Sequence, residues 1–231
     1  MKIEYLYVDH FFYGTIKIVK DDQGISRWIK DGATIWELKV LEKISPYINP
    51  EKSVIDAGAN MGLHSIAFAK SIYDDQKVYA FECHPEIYPC LEYNSNFKII
   101  PSSSGLSSHD HKAYVPSIYT HGFENVASIN VTDDSSLEYP VKLKTIDSYS
   151  FDNIGFIKID TEGHEDFVID GAIDTIEKNR PNILIEIMGG YNIETAPKDI
   201  VDKINHTIQK VCDLGYTHQQ ISYHDYLFLP V

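Results

Sequence analysis

The rhythm of apolar residues changes several times along the chain. Residues 3 to 30 read as strands and turns. Tyr5, Tyr7, Ile16, Ile18 and Ile25 are aromatic or β-branched, and Asp21-Asp22-Gln23-Gly24 is a turn signal. A helix is predicted near 33 to 48. Ile35, Leu38, Leu41, Ile44 and Ile48 recur at three- and four-residue steps, and Pro50 lies just past the end. From 53 the pattern alternates. Ser53 to Ala57 predicts a short buried strand, Leu63 to Ile72 a helix, Lys77 to Glu82 a strand, Pro85 to Asn94 a helix and Asn96 to Pro101 a third strand.

The middle, 102 to 150, breaks this alternation. It has loops rich in Ser and His and β-leaning runs at 112 to 116, 126 to 131 and 139 to 146, which read as an inserted antiparallel element. Strand and helix then resume. Ile154 to Asp160 is a strand, Glu165 to Lys178 a helix, Ile183 to Ile187 a strand and 197 to 212 a helix. Tyr216 to Gln220 and Tyr226 to Leu229 suit a closing hairpin. Such alternation predicts a mostly parallel, Rossmann-like sheet with helices on both faces. The expected organisation is a single domain over residues 1 to 231. Residues 1 to 50 form an N-terminal extension, and 53 to 231 a core carrying the insert near 102 to 150.

Composition narrows the partners. The 231 residues suit one domain with a sizeable core, and their formal charge is -14. That acidity, without a Lys or Arg cluster, argues against nucleic acid. Cys83, Cys90 and Cys212 suggest neither a disulfide framework nor a zinc site, which fits a reducing, cytoplasmic location. Residues 1 to 14 do not read as a secretory signal, and no stretch approaches the roughly 20 apolar residues of a membrane span.

The chemistry concentrates at 54 to 62. Asp56-Ala57-Gly58-Ala59-Asn60-Met61-Gly62 lies between a predicted strand and a predicted helix, where open α/β sheets bind ligands. A dinucleotide loop would read Gly-x-Gly-x-x-Gly, but position 60 is Asn and 63 is Leu. Asp56 places a carboxylate where a phosphate would otherwise sit, which suits a positively charged ligand. S-adenosylmethionine carries an ammonium and a sulfonium. Glu82, at the end of the second core strand, is placed to accept hydrogen bonds from both ribose hydroxyls.

Five stretches carry a family resemblance. They are Val54-Ile-Asp-Ala-Gly-Ala-Asn-Met-Gly62, Tyr79-Ala-Phe-Glu-Cys-His-Pro85, Lys144-Thr-Ile-Asp-Ser148, Ile157-Lys-Ile-Asp-Thr-Glu-Gly163 and Asp170-Gly-Ala172. In identity and order they resemble the FkbM-type methyltransferases, over roughly residues 35 to 190. The resemblance implies the class I methyltransferase fold, a seven-stranded sheet with one antiparallel edge strand, and O-methylation of sugar hydroxyls in polyketides, glycolipids or polysaccharides. It implies cofactor-binding roles for Asp56, Gly58, Asn60, Gly62 and Glu82. Cys83 stands where the family more often has Pro. Leu106-Ser107-Ser108 would lie near the adenine. Asp160, Glu162, Gly163 and Glu165 match the Asp-x-Glu-Gly-x-Glu motif.

Methyl transfer to a hydroxyl needs alignment and benefits from a general base. Asp160 is expected to face both cofactor and acceptor, with N-capping of the next helix as the plainer role. Glu162 and His164 follow on the same loop as further catalytic candidates. A metal on Asp160, Glu162 and His164, or on His109-Asp110-His111, is not predicted. Glu165 suits the helix start; Glu37, on the early helix, could reach the cofactor cleft, with an exposed i, i+4 neighbour role as the plainer one. His121 to Asn125 is a candidate acceptor-pocket segment, and the role of Asp147 is not derivable. Two other readings stay open: a dinucleotide-dependent oxidoreductase and a non-catalytic module. The expected partner is a small-molecule or glycan acceptor, selected by the N-terminal residues and the insert.

Overall fold

A short, mostly apolar run without a helical period suits a strand buried on both faces, as in a parallel sheet. Ser53–Ala57 is such a segment, and all five residues are buried. The structure, a computed structural model, describes residues 3–32, 34–122, 125–187 and 196–231. In chain order the elements begin with β1 (Tyr5–His10), β2 (Gly14–Val19), α1 (Ile25–Lys30) and α2 (Leu38–Ile44). Then come β3 (Ser53–Ala57), α3 (Leu63–Ser71), β4 (Val78–Phe81), α4 (Tyr88–Asn94) and β5 (Ile99–Ser102). The insert supplies β6 (Gly105–Leu106), β7 (His111–Val115), α5 (Ile118–His121) and β8 (Tyr139–Lys144). The chain finishes with β9 (Ile154–Ile159), α6 (Glu165–Asp170), α7 (Ile173–Asn179), β10 (Asn182–Glu186), α8 (Lys198–Asp213), β11 (Tyr216–Gln220) and β12 (Asp225–Pro230).

Seven strands form one sheet in the order β11-β12-β10-β9-β3-β4-β5. The fold is the expected α/β, Rossmann-like arrangement. Only β12 runs against the other strands. It lies second from the edge, not at the edge, because β11 pairs outside it. Strand order reverses between β3 and β9, and the ends of these two strands form the crevice where open sheets hold ligands.

Alternation along each strand divides the core. Val54, Phe156, Leu184 and Leu227 face α3, α4 and the N-terminal segment. Ile55, Ile157, Ile183 and Phe228 face the side of α6, α7 and α8. This two-residue period has a chemical consequence. Asp56, Lys158, Glu186 and Asp225 share parity with the first set. They therefore crowd onto the face covered by α3 and the N-terminal segment, near one end of the sheet.

Some elements differ from their sequence reading. Ile25 belongs to a short helix, not a strand, and Asp22 at its start accepts hydrogen bonds from the amides of Gly24 (3.1 Å) and Ser26 (2.7 Å). The helix expected over 33–48 is shorter, ending in a 3-10 turn at Ser45–Tyr47. Glu165 to Lys178 is two helices, not one. The break falls at Gly171, where a Cβ would lie 2.0 Å from the Ser107 carbonyl oxygen. In the insert, 126–131 opens as a 3-10 turn (Val126–Ser128) instead of a strand. The insert sheet is also mixed, since β6 pairs parallel with β8 while β7 pairs antiparallel.

The N-terminal hairpin of β1 and β2 is tied to the core through Asn94. Its side chain accepts from the Lys17 amide (2.7 Å) and donates to the carbonyls of Lys17 (3.0 Å) and Met61 (2.7 Å). Glu86 holds the insert, accepting from the Ile118 amide (2.8 Å) and the Tyr139 hydroxyl (2.8 Å). Among the described residues, no helix is long and apolar enough to cross a membrane.

Asp147 gains a role that its sequence context did not supply. Its carboxylate accepts from the amides of Asp174 (3.1 Å) and Thr175 (2.8 Å), two of the orphan donors at the start of α7. Asp147→Ala is therefore expected to cost about 1 kcal/mol, the usual worth of such a cap. Urea denaturation checks this, and an unchanged midpoint would refute the capping role.

Candidate active site

The crevice at the strand reversal opens into a cavity of about 430 Å³. Its floor is the loop after β3, with Gly58, Ala59, Asn60 and Met61, and the ends of β4, β9 and β10, with Glu82, Asp160 and Glu186. Its roof comes from the two parts expected to select the acceptor. Gly24, Ile25, Trp36 and Glu37 come from the N-terminal segment, and Asn125, Ala127, Ile129 and Val131 from the insert. Fully buried Asp22 joins them, because its carboxylate also accepts from the Val126 amide at 3.2 Å.

The glycine loop is shaped by packing as much as by any ligand. A Cβ on Gly58 would lie 1.8 Å from the Asp160 carbonyl oxygen, and φ there is +79°. The loop thus presses on the end of β9, and only glycine permits that approach. Asn60 adopts φ +50°, a left-handed conformation that Asn tolerates better than most residues, and its Oδ1 accepts from the Met61 amide at 2.7 Å. Gly62 turns the chain into α3 at φ +88° and does not line the cavity.

Glu82 sits where the ribose-binding acid was expected, on the cavity wall. Its two oxygens accept from the amides of Asn60 (3.0 Å) and His84 (2.7 Å). A carboxylate has about four acceptor sites, so lone pairs remain for two hydroxyls. Burial pushes its pKa up to about 7. Beside it Phe81, Cys83, Gly105, Leu106 and Leu143 make an apolar slot. Burial raises the Cys83 thiol well above its ordinary range, so it lines this slot as a neutral group.

Asp56 is placed differently from its sequence reading. It is fully buried beneath the loop and does not line the cavity. One oxygen accepts from the Ser65 hydroxyl at 2.5 Å, and the other has no hydrogen-bond partner. Its cross-strand neighbour is Lys158, a residue absent from the sequence-based site. Lys158 is 4% exposed, and its ammonium lies 2.8 Å from Asp160 Oδ2. Burial opposes the charge of Lys158, but Asp160 and Asp56 more than offset it and hold the ammonium above its usual range. Asp160 is thus committed to Lys158 and does not cap α6.

The three expected catalytic residues all line the cavity. Glu162 holds a left-handed backbone at φ +53°, and burial lifts its pKa to about 7. His164 is pushed down to about 4, chiefly by burial, and its Nε2 lies 3.0 Å from the Ser107 hydroxyl. Ser107 is therefore a buried support for His164, not a cavity residue. Glu165 folds back to accept from the amides of Gly163 (2.8 Å) and Thr161 (3.3 Å), which fixes the loop that displays Glu162. Leaving an unusual backbone at a site commonly marks function.

Sequence reasoning only partly reached the far wall. Glu37 is not an exposed helical neighbour. It sits at φ +48° on the cavity, with its pKa raised to about 7 by burial. Glu186, at the end of β10, is raised to about 9, first by burial and then by Asp160. His64 Nε2 lies 3.3 Å from Glu37 Oε2. Burial and the Lys158 charge hold that imidazole far below its usual range, so the contact is not an ion pair. Strand parity was the available signal for Lys158 and Glu186. Of the segment 121 to 125, His121 is exposed, Asn125 lines the roof, and 123 and 124 lie outside the described residues. His109 and His111 stack at 4.3 Å on the surface. Among the described residues, no group of His, Cys, Asp and Glu is placed to hold a metal ion.

Comparison with known proteins fits this geometry. The model of the methyltransferase FkbM domain matches residues 56–217. The chain belongs to the FkbM methyltransferase family. S-adenosylmethionine is the methyl donor of this family. No curated protein matches the chain. The methyltransferase FkbM from Methylobacillus flagellatus KT is 18% identical over 78% of this chain, with a TM-score of 0.49. This chain spans only 44% of that one. A putative rRNA-methylase from Clostridium thermocellum is 11% identical, with 81% of this chain and 90% of that one covered and a TM-score of 0.51. Fibrillarin from Aeropyrum pernix, in complex with S-adenosyl-L-methionine, is 8% identical over 98% of both chains, with a TM-score of 0.49. At 11% identity the likeness to the Clostridium thermocellum protein is one of fold alone.

Two outcomes follow from the buried charges. Lys158→Met leaves Asp56 and Asp160 without their cation and is expected to cost about 3 to 5 kcal/mol in urea denaturation. A cost below about 1 kcal/mol would show that Lys158 is not the counter-charge.

The second concerns pH. Glu37, Glu82, Glu162 and Glu186 hold protons in the folded chain that the unfolded chain releases near about pH 4.3. Stability contributed by them falls as pH rises through their folded values. His64 and His164 act oppositely, but only below the unfolded histidine value of about 6.5. Buried Cys83 and Cys90, both raised, act with the carboxylates. The urea midpoint of the ligand-free protein should therefore fall between about pH 6.5 and 9, and Glu186→Gln should flatten its upper part. A midpoint that rises over this window would contradict the protonated carboxylates.

Proposed function

We propose that this protein is an S-adenosylmethionine-dependent O-methyltransferase acting on a hydroxyl of a sugar, glycolipid or related small molecule. The observation that carries the cofactor is the acidic cavity at the strand reversal, with Glu82 at one end. Its carboxylates suit a ligand with a sulfonium and an ammonium. Glu82 suits a ribose, and the slot of Phe81, Leu106 and Leu143 suits an adenine. The missing glycine at position 60 and, among the described residues, the lack of a lining arginine disfavour a dinucleotide. The charge of -14 disfavours a polyanionic acceptor such as RNA.

When bound, the cofactor supplies an activated methyl group. The chain's own work is to hold the acceptor oxygen in line with it and to take the hydroxyl proton. Asp160, fixed by Lys158, orients the acceptor from the floor. Glu162 takes the proton, because a base poised near 7 is matched to neutral conditions. His164 at about 4 is a weaker base and contributes shape and a hydrogen bond through Ser107. The roof of Trp36, Asn125 and Ile129 excludes water and selects the acceptor.

Calorimetry with S-adenosylmethionine tests the cofactor, and no heat at millimolar cofactor would sink the proposal. Glu82→Ala should weaken binding by at least about ten-fold, given roughly 1.5 to 3 kcal/mol for a hydrogen bond to a charged group. A methyl-transfer screen with labelled cofactor against sugars, glycolipids and peptides identifies the acceptor. On that acceptor Glu162→Gln should lower kcat by about 10²- to 10⁴-fold with little change in cofactor affinity. An unchanged kcat would remove Glu162 from the role of base.

A further inference from the structure

The part of the roof that comes from the insert is a short segment fastened at both ends. Its residues Ile129 and Val131 line the cavity, while Asn130 between them is exposed. Ile129 and Val131 pack, with Cys83, against the insert cluster of Ala113, Val115, Val141 and Leu143. They therefore border the slot of Cys83, Leu106 and Leu143. One end of the segment is fastened within the insert, where Thr132 and Tyr114 exchange two amide-to-carbonyl bonds of 2.7 and 3.0 Å. The other end is fastened from outside the insert. There the Val126 amide donates to Asp22 Oδ1 at 3.2 Å.

Asp22 has a plainer role, as partner of the first amides of α1. That role uses Gly24 on Oδ1 and Ser26 on Oδ2, and it leaves the bond to Val126, 104 residues away, unexplained. Two further contacts show that the junction is closely fitted. A Cβ on Gly24 would lie 2.9 Å from Asn125 Oδ1, an atom already held by the Ala127 amide at 3.1 Å, so a side chain there would push the two segments apart. On the other side, the Ser26 hydroxyl lies 3.6 Å from Met61 Sδ in the glycine loop, and both residues are buried. Asp22 thus ties the roof segment to a turn that is itself seated on the floor. A carboxylate with no exposed surface makes its hydrogen bonds away from competing water, where they hold position well.

We propose that Asp22 is a positioning residue for the cofactor site. Through the Val126 amide it keeps Ile129 and Val131 against the slot that takes the adenine, and so slows the escape of bound cofactor. Asp22 lies before residues 56–217, the region that matches the family, so the anchor of this wall comes from outside that region. The inference rests on the methyltransferase reading above and adds to it a residue that acts through another segment.

Stopped-flow release of S-adenosylhomocysteine from the full chain tests it, read by tryptophan fluorescence because Trp36 lines the cavity. Asp22→Ala removes all three bonds. Val126→Pro removes only the Val126 donor, and proline suits that first position of the 3-10 turn, after the extended Asn125. Each variant should raise the release rate at least about ten-fold. The double variant should be no faster than the faster single one, because both break the same bond. Thermal denaturation shows which variants fold. If Asp22 only supported α1, Val126→Pro would release the ligand at the unaltered rate. Hydrogen exchange on the unaltered protein needs no variant: S-adenosylhomocysteine should slow exchange across residues 126 to 132. An unaltered release rate in folded Val126→Pro overturns the inference. So do rate factors that multiply in the double variant, or exchange across 126 to 132 that does not respond to the ligand. Failure of the unaltered protein to bind S-adenosylhomocysteine is a separate result that removes the methyltransferase reading and this inference together.

Discussion

The buried ammonium of Lys158 is the constraint on which the site depends. Strand pairing places it opposite Asp56, and its own strand carries it towards Asp160. A lysine so deep in a sheet is tolerable only where carboxylates surround it, and carboxylates so deep are tolerable only around a cation. Each therefore requires the other. Asp56 anchors the cluster beneath the glycine loop through Ser65, so the loop's position is set from below by charge. Asp160 is held from the side, which leaves its backbone carbonyl pressed against Gly58. The glycine loop and the loop after β9 are thus one mechanical unit, joined by an ion pair and a glycine contact.

That unit explains why the cavity keeps unusual backbone. Glu37, Asn60 and Glu162 all line it with positive φ, each at a cost that surrounding structure must offset. Asn60 is stabilised by Glu82 and by its own side chain. Glu162 is displayed by a loop that Glu165 closes. Glu37 follows Trp36, whose amide donates to the Tyr13 hydroxyl at 2.9 Å. For Glu37 and Glu162 a polar contact outside the cavity fixes the turn, whereas Asn60 is fixed by Glu82 on the cavity wall and by its own side chain. Preorganisation of this kind is what alignment of two reactants demands.

Much of this was legible in the sequence. The strands around 53–57, 154–160 and 183–187 were readable because parallel strands buried on both faces leave short apolar runs. Glu82 and Asp160 were readable from their positions at strand ends, and Glu162 from the loop that follows and the motif it carries. Lys158 was not singled out, although it stands two residues before Asp160, because a charge within an apolar run reads as an interruption until the cross-strand partner is known. For Glu37 the cleft was the less favoured of two readings, because its helix begins only at Leu38 and helical spacing did not apply to it. The split at Gly171 was hidden for a similar reason. Its cause is the Ser107 carbonyl, sixty-odd residues away in sequence and adjacent only in the fold.

The N-terminal segment closes the cavity from outside the matched region, which begins at Asp56, through Ile25, Trp36 and Glu37. Asp22 bonds the segment to the insert at Val126, so the two least family-like parts form a continuous roof over the most family-like floor. The floor tolerates little change, because Gly58, Asp160 and Lys158 constrain one another. The roof meets the floor through polar ties that include Asn94 and Glu86, and its lining residues lie apart from the charge cluster below. Acceptor choice can therefore diverge within this fold while the chemistry at the strand ends stays fixed.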